Sequence, residues 1–448
     1  MSKYLVDSTD MTAIANAIRS KDGTQTTMTV SDMPTRIQNI PSSGGSSLDD
    51  YLDGTTTRVT TSVMPKQYAF AYQTLDSVTL TGNLTSIPQN CFMNSTITTV
   101  TIPNTVTRLE DFCFYMQKGM SSFTFPSGLT FIGKSAFRET DLTSIVLPNS
   151  LTYLTDWYQF YGCAKLTSVT LPQYLTNITQ RMFDGCTLLT SISLPSTITN
   201  IGAGAFSRAG LTSISIPSGV TTIGYSAFEY TNITSVTLPA SITSVGENAF
   251  RYCTSLTSFN MGSKQDLSLP NVEILDGCTN LRTFTFGASG QMISSGVFGG
   301  NPLWVKNINF TWDPSISHIG GLPLAGINVG TLHIPSSVSL VSGGIAPSID
   351  NLIVDNPRTY IGGYAFDQTT VSGNITLNQV TFEEYAFNTS GGSLTIHLTE
   401  TDPTNISNGW AQTDAFSQYV SIKVPVGTLS YYQSALPDYA SLISEESN

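Results

Sequence analysis

One beat runs through this chain and decides what it can fold into. Aligned on a recurrent phenylalanine, Phe92, Phe114, Phe137, Phe160, Phe183, Phe206, Phe228 and Phe250 follow one another at steps of 22 or 23 residues. The prolines Pro103, Pro126, Pro148, Pro172, Pro195, Pro217 and Pro239 keep the same beat, at steps of 22 to 24. A unit this short cannot enclose its own apolar face. Repetition at such a period therefore implies a solenoid, in which each turn is covered by its neighbours.

Inside one unit the stretch LTSVTLP alternates apolar and polar residues, the period of a strand with one buried face. Val169 and Leu171 are expected to point inward and Ser168 and Thr170 outward. The same holds for Ile214 and Ile216 against Ser213 and Ser215, and for Val236 and Leu238 against Ser235 and Thr237. The proline then ends the ladder, because it has no amide hydrogen to donate. A second apolar pair, ending at Ile201, Ile223 and Val245 in successive units and followed by Gly, makes the next corner. The phenylalanine plugs the interior from a helical or irregular turn. Each buried plug contributes about 1.5–3 kcal/mol, so a unit is stable only when stacked.

The units LTSISIPSGVTTIGYSAFEYTN and ITSVTLPASITSVGENAFRYCTS, consecutive from residue 211, carry a pattern that resembles the BspA-like family of leucine-rich repeats. The resemblance is tight from about residue 75 to 260 and looser beyond, where NINFTWDPSISHIGG, TLHIPSSVSLVSGG and SLTIHLTE keep a strand at uneven spacing. It implies a mainly β, leucine-rich repeat solenoid over 49–425, regular to about 260 and irregular after. It further implies that IKVPVGTLSYYQSALPDYASLI leads from a terminal strand into a short helix, a C-terminal cap over 426–448 that closes the open core.

Composition narrows the function classes. Of the 448 residues 40% are hydrophobic and only 11% charged, and the net charge of -12 is spread with no basic run longer than two residues, so no nucleic-acid footprint is present. No window of about 18 apolar residues exists, which leaves no membrane span. The opening MSKYLVDSTD and the ending SLISEESN show no export signal or hydrophobic anchor, so if complete the chain would leave the cell by another route.

The six cysteines fall at the repeat spacing: Cys163, Cys186 and Cys253 three residues after a Phe, Cys91 and Cys113 just before one, and Cys278 in a looser unit. Stacked, buried thiols are expected. No C-x-x-C pair of the kind zinc requires occurs, and disulfides between adjacent turns would need an oxidising setting.

Residues 1–40 do not repeat. Met11, Ile14, Ala15 and Ile18 form a stripe at helical spacing, with Asp10 ahead, Arg19 and Lys21 behind, and Gly23 beyond. A second helix runs from Ser31 as N-cap to Ile40, with Pro34 in its first turn and Ile37 on its apolar side. The linker PSSGGSS follows, so 1–40 reads as a helical attachment module and 41–48 as a flexible spacer. Helices this short need a partner, and the attachment residues are Met11, Ile14, Ile18, Ile37 and Ile40. Capping of the first repeat is the plainer alternative, which the linker argues against.

The block from Leu5 to Ile40, with its TAIANAIR core and later DMP, resembles the leader of tail and baseplate-associated proteins of bacteriophages and prophages of Gram-positive hosts. That resemblance implies phage tail or baseplate proteins as partners through the N-terminus, a virion location, and a homotrimer of the kind tail fibres form.

Nothing in the sequence assembles an enzyme. His318, His333 and His397 lie in separate units, with no H-E-x-x-H and no G-x-S-x-G. Asp49, Asp50 and Asp53 before Gly54 do not match a calcium loop. No catalytic residue, metal or cofactor is assigned.

What remains is surface. The strands carry a Ser/Thr ladder from Ser77 and Thr79 through Thr99 and Thr101 to Ser235 and Thr237, suited to solubility, ordered water or a repetitive polymer. Sugar recognition wants aromatic rings with polar groups beside them, which singles out Trp157, Tyr158 and Tyr161 in the unit containing DWYQFYGC, and Trp304, Trp312 and Trp410 in the irregular half. Each such ring is more often core than ligand platform. The reading is a phage or prophage tail-associated protein whose repeats bind a host cell-surface polysaccharide or protein. The alternative is a bacterial or protist cell-surface BspA-like adhesin. A polysaccharide-acting accessory and an ice- or mineral-binding plane stand further behind.

Overall fold

The recurrent phenylalanines stand one above another. Phe92 and Phe114 are 4.8 Å apart between ring centroids, Phe160 and Phe183 5.8 Å, and Phe228 and Phe250 5.2 Å, with planes parallel to within 1°, 8° and 5°. Phe70 extends the stack at its front, 5.0 Å from Phe92. All are fully buried in one continuous core that runs from Val59 to Ile443. The structure is a computed structural model and describes residues 58–446, apart from 63, 153, 155–156, 263–272, 288–292, 301–302, 321–322, 408 and 413. The expected attachment module, its residues Met11, Ile14, Ile18, Ile37 and Ile40, the linker, and Asp49 to Gly54 lie outside the described residues.

Each regular turn has three sides. The first is the LTSVTLP segment, paired in parallel with its equivalents as in Ser144–Val146 with Ser168–Thr170 and Ser235–Thr237 with Ser258–Asn260. Its proline does more than end the ladder. The carbonyls of Pro103, Pro126, Pro148, Pro172, Pro195, Pro217 and Pro239 each accept the N–H three residues on at 3.1 Å, closing the same tight turn every time. The second side is a two-residue strand, and Asn177–Ile178, Asn200–Ile201, Thr222–Ile223 and Ser244–Val245 form one parallel sheet. Between these sides Thr199, Thr221 and Thr243 donate their Oγ1 to the carbonyl of the equivalent threonine one turn back, at 3.2, 3.1 and 3.0 Å.

The glycine after the second strand is needed for room rather than for backbone freedom. A Cβ at Gly202, Gly224 or Gly246 would sit 2.8, 2.5 or 2.4 Å from a backbone nitrogen of the preceding turn. The coils touch there, backbone to backbone.

The third side carries the phenylalanine, and it is irregular rather than helical. The residues two before and two after each Phe are left-handed: Asn90 and Asn94 around Phe92, Phe112 and Met116 around Phe114, Ser226 and Tyr230 around Phe228, Asn248 and Tyr252 around Phe250. Such a conformation costs a non-glycine residue about 1–2 kcal/mol, so something must offset it. The hydrogen bonds do. Alternate N–H groups point along the axis: Asn90, Phe92 and Asn94 donate to Asp111, Cys113 and Tyr115 of the next turn at 3.1, 2.7 and 2.7 Å. The N–H groups between them, Cys91 and Met93, fold back onto carbonyls three residues earlier.

The expected strand at Ser213–Ile216 is not formed. Ile214 and Ile216 are only half-buried, and the segments around 121–126, 190–195 and 212–217 carry no strand hydrogen bonding beyond a single bond per turn, such as Thr212 N–H to Thr190 O at 3.0 Å. Alternation was present without a neighbour close enough to pair with. The Ser/Thr ladder from Ser77 to Ser235 is therefore broken into separate sheets. Val169 is likewise half-buried, whereas Leu171, Val236 and Leu238 are buried as expected.

Beyond Ser235 the pattern reverses. Ten parallel strands, from Ser235–Thr237 to Ile443–Glu445, pair in sequence order into one sheet. The aromatic column shifts onto these strands at Phe259, Phe284 and Phe310, and returns to the third side at Phe366, Phe387 and Phe416. Near the end a helix, Leu429–Ala435, buries Tyr432, whose hydroxyl donates to the Glu400 carbonyl at 3.0 Å. All six cysteines are buried free thiols; Cys163, Cys186, Cys253 and Cys278 donate to the Phe137, Phe160, Phe228 and Phe250 carbonyls at 3.1–3.3 Å.

Candidate functional site

Two surfaces stand out. On the ten-stranded sheet the outward residues come into register: Ser235, Ser258, Thr283, Asn309, Thr331 and Asn351 form one column, and Thr237, Asn260, Thr285 and Thr311 form another. Successive members lie one strand spacing apart, about 4.8 Å. Thr285 and Thr311 hydroxyls hydrogen-bond each other at 2.8 Å. Both columns are uncharged, and no aromatic side chain stands in either.

The second surface lies on the third side, beside the phenylalanines. Arg138, Tyr161 and Asp184 each follow their Phe by one residue, while Tyr158 and Arg181 each precede theirs by two. Stacking the turns brings them together. The Arg138 guanidinium carbon lies 4.7 Å from the Tyr161 ring centroid and 5.5 and 5.9 Å from those of Tyr115 and Tyr158. Arg181 covers Tyr158 at 5.9 Å, and Tyr158 meets Tyr161 edge-on at 5.5 Å. Each contact between a guanidinium and a ring contributes about 0.5–1 kcal/mol at a wet surface and more where water is excluded.

Asp184 anchors the group. Its carboxylate is buried, with 1% of the side chain exposed, and its Oδ1 accepts from Arg208 Nε and Nη2 at 3.0 and 2.8 Å. Arg181 Nε approaches the other oxygen at 3.8 Å. Arg208 also donates to the Tyr161 hydroxyl at 3.3 Å, bridging two turns. Burial pushes the Asp184 carboxyl above its ordinary value, against the pull of Arg208 and Arg181. Trp157, the residue before Tyr158, is 48% exposed, with Lys134 Nζ 5.8 Å from its ring.

The other tryptophans take no part. Trp312 is a correction: only 7% exposed, it stacks on Phe286 at 4.4 Å and donates its indole N–H to the His333 carbonyl at 3.1 Å, so it is core. Trp304 is half-buried edge-on to Phe298 at 5.7 Å, and Trp410, 44% exposed, lies far along the chain beside Thr381. The histidines stay apart, His318 on Ser342, His333 on Asp355 and His397 on Glu446. Among the described residues no three His, Cys, Asp or Glu side chains gather to hold a metal, and no helix is long and apolar enough to cross a membrane. The arginines and Asp184 were missed in the sequence. Fixed offsets from the Phe, one after for Arg138 and Asp184, two before for Arg181 and two after for Arg208, were the signal that could have found them.

The sequence profile of the BspA type leucine rich repeat region matches at 61–158, 155–268, 221–345, 271–393 and 345–433, spanning nearly the whole described chain. Similar solved structures include a leucine-rich repeat protein from Bacteroides ovatus, 18% identical over 78% of this chain and 84% of that one, with a TM-score of 0.48. A leucine rich cell surface protein from Faecalibacterium prausnitzii is 22% identical over 64% and 83%, with a TM-score of 0.32. A leucine-rich repeat protein from Eubacterium ventriosum is 21% identical over 55% and 75%, with a TM-score of 0.34. No curated protein matches. The profile match begins at residue 61.

Proposed function

We propose that this chain, which belongs to the BspA-type leucine-rich repeat family, is a cell-surface binding protein that adheres through the outer faces of its solenoid. Family membership over residues 61–433 carries this reading, since an adhesin is what the resemblance to BspA-like repeats implies. The geometry suits it. A rigid array with in-register polar columns and an aromatic and arginine strip offers many weak contacts at fixed spacing, and contacts of that kind sum on a polymeric or crowded target. The test is exposure and adherence: intact cells of the encoding organism are labelled with a membrane-impermeant reagent, and a deletion strain is compared for attachment. Labelling only after lysis, with attachment unchanged, would remove this reading.

A second reading rests on one observation, the leader whose TAIANAIR core resembles those of tail and baseplate proteins. On it the chain is a virion component held by residues 1–40, with host binding by the same solenoid, in a trimer. Purified phage particles that contain the chain, and lose it when 1–40 is removed, would favour this reading over the first.

A further inference from the structure

We propose that the strip formed by Trp157, Tyr158, Arg181 and Arg208 is a binding site for an acidic polysaccharide, which lays a sugar ring on the Trp157 indole and sets its anionic group against the two guanidinium groups. This rests on the surface-binding reading and names the ligand class for one face.

Charge is the first argument. Residues 107–210 carry seven Lys and Arg against six Asp and Glu, whereas the rest of the chain carries twelve against twenty-five (19 - 7 and 31 - 6). A polyanion is repelled along most of this molecule and not here. The second argument is depth. The carboxylates of the strip are sunk, with Asp184 and Glu139 side chains 1% and 16% exposed, while Arg181 and Arg208 are 43% and 51% exposed above them. Both guanidinium groups converge on the single Asp184 carboxylate, two cations to one buried anion, with the half-buried Glu229 on the next turn. A guanidinium is a planar fork of donors that matches carboxylate, sulfate and phosphate.

The third argument is the arrangement of rings. The faces of Tyr158 and Tyr161 are covered by Arg181 and Arg138, so these tyrosines fix the arginines in place rather than offering a platform. Trp157 keeps about half its surface open, with Lys134 Nζ over one face of its ring at 5.8 Å, which leaves the opposite face for a sugar. An apolar ring face flanked by donors is what a charged sugar requires. The Ser/Thr/Asn columns of the ten-stranded sheet have neither ring nor charge and do not compete for such a ligand.

The full chain is titrated at low salt with a heparin oligosaccharide, oligogalacturonate, a teichoic acid fragment, dextran, and a single-stranded oligonucleotide of matched charge. Binding to at least one acidic glycan and not to dextran is expected; which one binds tells sulfate, carboxylate and phosphate apart. Trp157→Ala weakens binding about tenfold and Arg181→Gln by about the same factor, with melting temperatures unchanged. Arg208→Gln is a third variant, interpreted only beside its own melting curve because it bares Asp184. Binding to none of the acidic glycans, equal binding of the oligonucleotide, or full affinity in both Trp157→Ala and Arg181→Gln overturns the assignment. Each of these can occur on a chain that is nonetheless labelled at the cell surface, so failure here and failure of the surface reading are distinguishable.

Discussion

The Phe92 and Phe114 rings are 4.8 Å apart and parallel to within 1°, although 22 residues separate them in the chain. Neither has any exposed surface. Each ring thus shields the next, and no turn holds its plug without a neighbour. Phe114→Ala should cost about 3–5 kcal/mol, since it opens a cavity between two rings that cannot close on each other. Because stability in such an array is a sum of turns and interfaces, the loss should also split urea unfolding into two transitions. Circular dichroism against urea measures both; a single transition at the parent midpoint would contradict the stacked core.

Glycines in this chain divide by what surrounds them. A Cβ at Gly224 would lie 2.5 Å from the Ala203 nitrogen, whereas one at Gly128 meets nothing nearer than the Asn104 carbonyl at 4.0 Å. Gly224→Ala is expected to destabilise by about 1–3 kcal/mol through forced separation of two coils. Gly128→Ala should be neutral or stabilising by up to about 1 kcal/mol, through the unfolded chain. Paired melting curves decide the matter.

The Arg208 and Asp184 pair predicts a pH signature. Burial raises the Asp184 carboxyl, so the folded protein holds its proton more tightly than the unfolded chain does. The sign follows: stability linked to this group is greatest below the ordinary carboxyl range and declines as pH rises through the raised value. Removing Arg208 raises that value further. Arg208→Gln should therefore be destabilised by about 1–3 kcal/mol at neutral pH and less in mild acid, and Asp184→Asn should restore part of the loss. Melting temperatures of the three forms against pH test this; a deficit that grows in acid would refute it.

The thiols should be silent until the chain unfolds. All six are buried, and burial pushes Cys163 and Cys253 up to about 11 and the others upward as well. The reactive species is the thiolate, which is scarce and shielded here. A chromogenic disulfide reagent should find no reactive cysteine in the native protein and six in guanidinium chloride. Rapid native reaction at any cysteine would show that the turns open locally.

Much of this architecture could be read from residue spacing because the period is enforced by the core. Phe92 to Phe250, the prolines and the cysteines repeat since each must sit above its predecessor. What could not be read is what depends on neighbours. Ser213–Ile216 alternates like a strand and forms none, because pairing is decided by the adjacent coil. Left-handed Phe112, Arg181 and Tyr230 carry no local signal, as those residue types normally avoid that conformation. The aromatic and arginine strip lay hidden for a related reason. Arg138, Tyr161 and Asp184 are 23 residues apart from one to the next, and only their shared offset from the Phe reveals the column. Trp312 fell among the surface candidates because its strand partner Phe286 was invisible in sequence.

The alternate N–H groups of the third side all point the same way, from one coil to the next. A pull applied between the two ends of the rod therefore loads these bonds lengthwise, and only the weakest junction yields at a given moment. Each coil that lets go frees 22 or 23 residues, and a stretch of that size pays out roughly 75 Å of slack. A molecule tethered at one end and attached at the other would lengthen under load coil by coil, softening a jerk without losing its grip.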